Sequence, residues 1–207
     1  MSKFARAILA LGAMSLFVPF AAPIVAQEVT TEALPAKRDE SVFVFGGPMS
    51  SGYFGDALTF WSSGYETNAF AGLGYQRFFY EYESFALGLE AGLGLRMGAG
   101  ESISAEAWAG LVGRLTEVEL GPVNITPSIT GGFSVVTDTI GVETTRTAAS
   151  GDSAAVLYYL APEIAVSHDD HPQWEAFGRI QHRSGGFGTI AHIDGSNAVT
   201  AGLRYKF

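Results

Sequence analysis

The stretch Trp174-Glu175-Ala176-Phe177-Gly178-Arg179-Ile180-Gln181-His182-Arg183-Ser184 alternates in polarity with a period of two. That is the signature of a strand with two unlike faces. Glu175, Arg179, Gln181 and Arg183 share one face, with Phe177 the exception. Trp174, Ala176, Gly178 and Ile180 share the other, and His182 and Ser184 continue it. Residues two apart on a strand have Cα atoms roughly 6.6 Å apart and point the same way. An imidazole so placed can lean toward a hydroxyl, the first requirement of an activated serine nucleophile. Because the pair extends the apolar face, it would lie against lipid if that face does.

The same alternation recurs along the chain. In Ser84–Met97, Phe85, Leu87, Leu89, Ala91, Leu93, Leu95 and Met97 face one way, and Glu90, Arg96 and three glycines face the other. Residues 103–115 repeat it, with Glu106, Trp108 and Arg114 opposite Ala105, Ala107, Ala109 and Leu111. Further segments are 42–49, 67–79, 125–135, 154–167 and 197–207, which with 174–184 make eight. Eight strands of about ten residues predict an all-β fold, an eight-stranded antiparallel transmembrane β-barrel over residues 41–207. Its outer face would be Leu, Ala, Val and Phe. Its lumen would hold Glu90, Arg96, Glu106, Arg114, Glu163, Glu175, Arg179 and Arg204, paired into a plug and not a pore. A soluble barrel would have to hide eight apolar stripes in an interior too narrow for them and expose the charges.

Composition points the same way. The 207 residues include 26 glycines, are rich in aromatics, contain no cysteine and carry a formal net charge of −9. Zero cysteines exclude disulfides and thiolate metal sites. The acidic balance argues against a nucleic-acid partner, which would want a basic face. No apolar run of membrane-spanning length follows the N-terminal region, so helical spans are not expected.

Residues 1–26 read as a signal peptide: Lys3 and Arg6, an apolar run from Ala7 to Phe20, and Ile24-Val25-Ala26 as a processing site. Residues 27–40 are a polar periplasmic lead-in. From a periplasmic start, the inward connections 80–83, 116–122 and 168–173 are short. The outward ones, 52–66, 98–102, 137–153 and 185–196, are mostly longer, the asymmetry expected of such barrels. His182 and Ser184 then close an outward-running strand at the outer rim. Tyr53, Phe54, Phe60 and Trp61 in the first outward loop suit a membrane interface or an acyl chain, and Glu143 to Asp152 reads as a polar external loop. His168-Asp169-Asp170-His171 has metal-ligand residue types, but it reads as a solvated turn beside Pro172.

Two stretches carry a resemblance. The ending Arg204-Tyr205-Lys206-Phe207 resembles the C-terminal signature of bacterial outer-membrane proteins. The run His182-Arg183-Ser184-Gly185-Gly186, followed by Gly195-Ser196-Asn197 and the last strand, resembles the outer-membrane lipid A 3-O-deacylases, the PagL-type acyloxyacyl hydrolases. That family is an eight-stranded barrel with an H-x-S motif on its seventh strand. The resemblance implies a serine esterase, a carboxylic ester hydrolase that removes a 3-hydroxyacyl chain from lipid A of lipopolysaccharide in the outer leaflet. Ser184 would be the nucleophile and His182 the general base. The backbone N–H groups of Gly185 and Gly186 would stabilise an oxyanion. No metal or organic cofactor is implied; the partners are lipid A and outer-membrane lipids, and a homodimer is admitted. The family's orienting glutamate is replaced here by Asn197, which shares parity with Val199, Ala201, Leu203 and Tyr205 and so also faces lipid. An amide can fix a histidine tautomer but cannot offset imidazolium charge; Asp194 is the alternative acid. The rival reading is a non-enzymatic barrel with a structural or adhesive role.

Overall fold

The computed structural model describes residues 38–207 apart from 62, 99, 101 and 102. The signal peptide, and the lead-in up to residue 37, lie outside the described residues. The alternating segments become β1 (Glu40–Ser50), β2 (Tyr65–Tyr82), β3 (Phe85–Met97), β4 (Ser104–Leu115), β5 (Val118–Leu120), β6 (Val123–Val136), β7 (Val156–His168), β8 (Trp174–Ser184) and β9 (Ser196–Lys206). Consecutive strands pair antiparallel around the sheet, and β1 pairs with β9, Val42 opposite Tyr205. The circle is completed by β4 pairing with β6. The tiny β5 is the far end of β4: Arg114 faces Ser128, whereas Val118 faces Ile125, a slip of one residue across 116–117. Such a slip is what a β-bulge introduces. Counting β4 and β5 as one broken strand gives an eight-stranded closed barrel. The connection expected over 116–122 is therefore partly strand.

The two faces of the wall are inverted relative to a soluble protein. Val44, Leu73, Leu93, Leu111, Phe133 and Leu203 stand outward and exposed. Inward lie buried carboxylates and guanidinium groups in one connected set. Arg179 grips Glu90 with two parallel bonds of 2.8 and 2.7 Å and reaches Glu163 through Nε at 2.9 Å. Arg204 links Glu163 to Glu175 (2.6 and 2.8 Å), which Arg114 and Lys206 also hold. Phe177, the residue that broke the polarity alternation, points inward with Phe43 and Phe45, and the Arg179 and Arg204 guanidinium groups stack on these rings. Glycines on neighbouring strands make the room: a Cβ on Gly74 would sit 2.2 Å from the Phe43 ring, and one on Gly202 2.5 Å from Phe177. With the sheet closed on itself, an apolar wall around an ion-paired polar interior is a membrane-spanning solution.

The connections divide into two ends. Those after β2, β5 and β7, and the bulge after β4, are tight; those after β1, β3, β6 and β8 are longer. The long-loop end carries two helices that the alternation does not disclose, α1 (Phe54–Leu58) and α2 (Val142–Ser150). The stretch from Glu143 onward is thus helical, not a loose polar loop. Glu143 is fully buried at the barrel mouth, bonded to Arg96 (2.6 Å) and Arg183 (2.9 Å).

Candidate functional site

The antiparallel register of β8 and β9 sets His182 directly opposite Asn197. Directly opposed side chains on one face are close enough to bond. Asn197 Oδ1 lies 2.6 Å from His182 Nδ1, and His182 Nε2 lies 3.1 Å from Ser184 Oγ. The three residues expected from parity to share an outward face therefore form one hydrogen-bonded row at the long-loop end. Their neighbours Arg183 and Gln181 turn inward to the lumen network.

That outward row does not meet lipid directly. Residues 51–61 fold back over the outside of the wall. The Phe54 ring lies 4.5 Å from the His182 imidazole, and Gly52 O accepts a 3.1 Å bond from Asn197 Nδ2. His182 and Asn197 are consequently buried, at 6% and 0% exposure, while Ser184 is half-buried. The expectation of a lipid-facing histidine is corrected: direction along the strand was right, and the cover comes from a loop 130 or so residues away in sequence. This is the chemically useful arrangement, because a base shielded from water keeps its bond to the hydroxyl while the hydroxyl stays reachable.

The other expected residues fall differently. Gly185 N–H donates to Ile193 O at 2.7 Å, so it is not available to an oxyanion in this conformation. Gly186 N–H is the remaining candidate of that pair. Gly186 and Gly188 take positive φ (63° and 87°), which turns the chain sharply after Ser184 and leaves Phe187 fully exposed at the tip. Asp194 does not take the acid's place beside the histidine; the Asn197 amide occupies it, and Asp194 offers its backbone carbonyl to Arg146 at 2.7 Å. His168 and Asp170 approach within 3.6 Å in an exposed turn at the opposite end, and among the described residues no group of metal-ligating side chains converges.

An apolar groove of about 920 Å³ is bounded by Leu58 and Phe60 and crosses the outer wall past Pro48, Ile180 and Val199. It follows one ladder line, Gly46 opposite Ala201 and Ala201 opposite Gly178, whose small residues keep its floor low. At Gly178 a Cβ would meet nothing closer than 4.0 Å, so the missing side chain leaves space that the wall does not refill. Ile180, two residues before His182 on the same face of β8, lines the groove.

Gly52 and Arg146 were not singled out in the sequence, and Phe54, read there as an aromatic of the membrane interface, instead packs on His182. A signal existed for Arg146, the single lysine or arginine in the four long connections 51–64, 98–103, 137–155 and 185–195.

Against known structures, the chain superposes on the outer membrane enzyme PagL with a TM-score of 0.56 at 11% identity, covering 81% of this chain and 99% of that one. The fold is that of an outer-membrane β-barrel. Neisserial surface protein A is similar too, with a TM-score of 0.50 at 12% identity, over 82% of this chain and 97% of that one. At such identities the likeness is one of fold. No protein-family model and no curated protein matches the chain.

Proposed function

We propose that this chain is an outer-membrane serine esterase that removes an ester-linked 3-hydroxyacyl chain from lipid A of lipopolysaccharide. The observation that carries the reading is the row Asn197–His182–Ser184, held at 2.6 and 3.1 Å on the outer face of the wall at its long-loop end. The long-loop end is read as external, which sets Ser184 near the headgroup level of the outer leaflet, where lipid A esters lie.

The chemistry follows from the bonds. Ser184 Oγ attacks the ester carbonyl as His182 Nε2 takes its proton, and the acyl chain would lie in the groove past Ile180 and Val199. Collapse of the tetrahedral intermediate expels the sugar hydroxyl, which takes the proton back from His182. Water then attacks the acyl-serine carbonyl as it gives a proton to His182, and collapse releases the fatty acid while Ser184 Oγ takes that proton back from His182. The oxyanion needs a donor, and the Gly186 N–H is the candidate. No step calls for a metal or an organic cofactor. Asn197 holds the imidazole in orientation but adds no negative charge to stabilise imidazolium, so turnover is expected to be slower than with a carboxylate there.

The test is mass spectrometry of lipid A incubated in detergent with purified protein. Loss of one hydroxyacyl group by wild type, and none with Ser184→Ala, supports the reading. Equal release by both, or no release across lipid A structures of differing acylation, defeats it and leaves a passive barrel with a surface role.

A further inference from the structure

We infer that Arg146 of α2 is a positioning residue that sets the tautomer of His182 through the backbone of residue 52. The inference rests on the esterase reading for its effect on rate, but not for its effect on the imidazole.

The Arg146 guanidinium bonds four carbonyl oxygens from two other loops. Nη1 donates to Asp194 O (2.7 Å) and Gly195 O (2.8 Å), and Nη2 to Ser51 O (3.1 Å) and Gly52 O (3.2 Å). Its face lies over the Tyr53 ring, 4.8 Å from the centroid. A planar fork of five donors on a delocalised cation is suited to such a task, and an ammonium is not. Glu143, one helical turn earlier, is fixed in the barrel mouth by Arg96 and Arg183. α2 is thereby anchored to the lumen at one point and ties the two loops flanking the site at the next.

Gly52 O is where the tie reaches the chemistry. A carbonyl oxygen only accepts, so the group of Asn197 that meets it at 3.1 Å must be the NH₂. The amide oxygen is then the atom facing His182 Nδ1 at 2.6 Å. Facing an acceptor, Nδ1 must carry the ring hydrogen, and Nε2 is left with its lone pair toward Ser184 Oγ. Were Gly52 to move away, the Asn197 amide could rotate and present NH₂ to Nδ1. The opposite tautomer would follow, with Nε2 protonated and unable to accept from the serine. An aspartate or glutamate would present an acceptor in either rotamer; an asparagine needs its orientation dictated, and here Gly52 and Arg146 dictate it.

The experiment uses the full-length protein folded in detergent micelles with ¹⁵N-labelled histidine, His182 being assigned by the signals lost in His182→Asn. Wild type should show one tautomer, with Nδ1 protonated and Nε2 free. Arg146→Ala should show a mixture of tautomers, and kcat for ester release should fall roughly tenfold to a hundredfold with little change in KM. Added guanidinium ion should restore part of the loss. Arg146→Lys should resemble Arg146→Ala, and it serves as the test variant if the alanine protein does not fold. A wild-type tautomer pattern in these variants, or an unchanged kcat, overturns the inference. If wild type releases no acyl chain, the esterase reading falls by itself, and the nitrogen shifts alone decide the role of Arg146.

Discussion

Strand β8 serves two buried polar regions that differ in how they are enclosed. Arg179, facing inward, is wrapped by Glu90, Glu163 and three aromatic rings contributed by the wall itself. His182, facing outward three residues later, is enclosed by a loop laid over the wall. The lumen is closed by the same ladders that make the fold, so its polar groups are held wherever the barrel holds. The outer site is closed by loops tied through Arg146 and Glu143, so it can be loosened without unfolding anything. Stability and chemistry are thus separated across the thickness of one strand.

The sharpest way to break this contrast is at the nucleophile. Ser184→Ala is expected to lower ester release by at least about 10⁴-fold, roughly 5 kcal/mol of transition-state stabilisation. Heat-modifiability in unboiled detergent gels should be that of wild type, since the half-buried hydroxyl packs against little. Next comes the lumen: Arg179→Ala leaves Glu90 buried without its cation and Glu163 with Arg204 alone, and breaking a buried pair typically costs about 3–5 kcal/mol. Urea unfolding in micelles should register that loss, and a value no larger than that of Arg146→Ala would erase the distinction between the regions. Asn197→Ala should reduce kcat by about 10–100-fold, some 1.4–2.7 kcal/mol, because an orienting group acts only through the base. The smallest effect is expected from Gly178→Leu, which fills the open floor of the groove. KM for a long-chain substrate should rise a few-fold while a short-chain ester is handled as before; equal changes for both would show that the acyl chain lies elsewhere.

The sequence made some of this legible and hid the rest for physical reasons. Period-two polarity in Trp174–Ser184 and Phe85–Met97 is written by the wall itself, since each residue meets either lipid or lumen. The inward ion pairs and the shared outward face of His182, Ser184 and Asn197 follow from parity alone. Phe177 looked like an error in the pattern because the lumen admits rings where facing strands carry glycine, a pairing invisible along one segment. α2 was obscure because three threonines interrupt the helix formers of the short segment Val142–Ser150; its helix is held by Glu143 reaching Arg96 and Arg183 across the mouth. The cover over His182 is a long-range contact between residues 52–54 and 182–197, and no local periodicity announces it.

The closure of the circle has a consequence for timing. β1 meets β9 at the seam where the beginning of the barrel finds its end, and Ser50 is paired there with Asn197. Gly52 follows directly on one side of that seam, and His182 sits one strand beyond the other. Of the contacts in the barrel wall, those between β1 and β9 join the most distant parts of the chain, so they carry the greatest loop-closure cost and wait for most of the chain to be in place. A chain not yet closed could hold Ser184, His182 and Asn197 along β8 and β9, but without Gly52 to set the Asn197 amide. In the proposed esterase, the site is completed only by the final zipping of the cylinder.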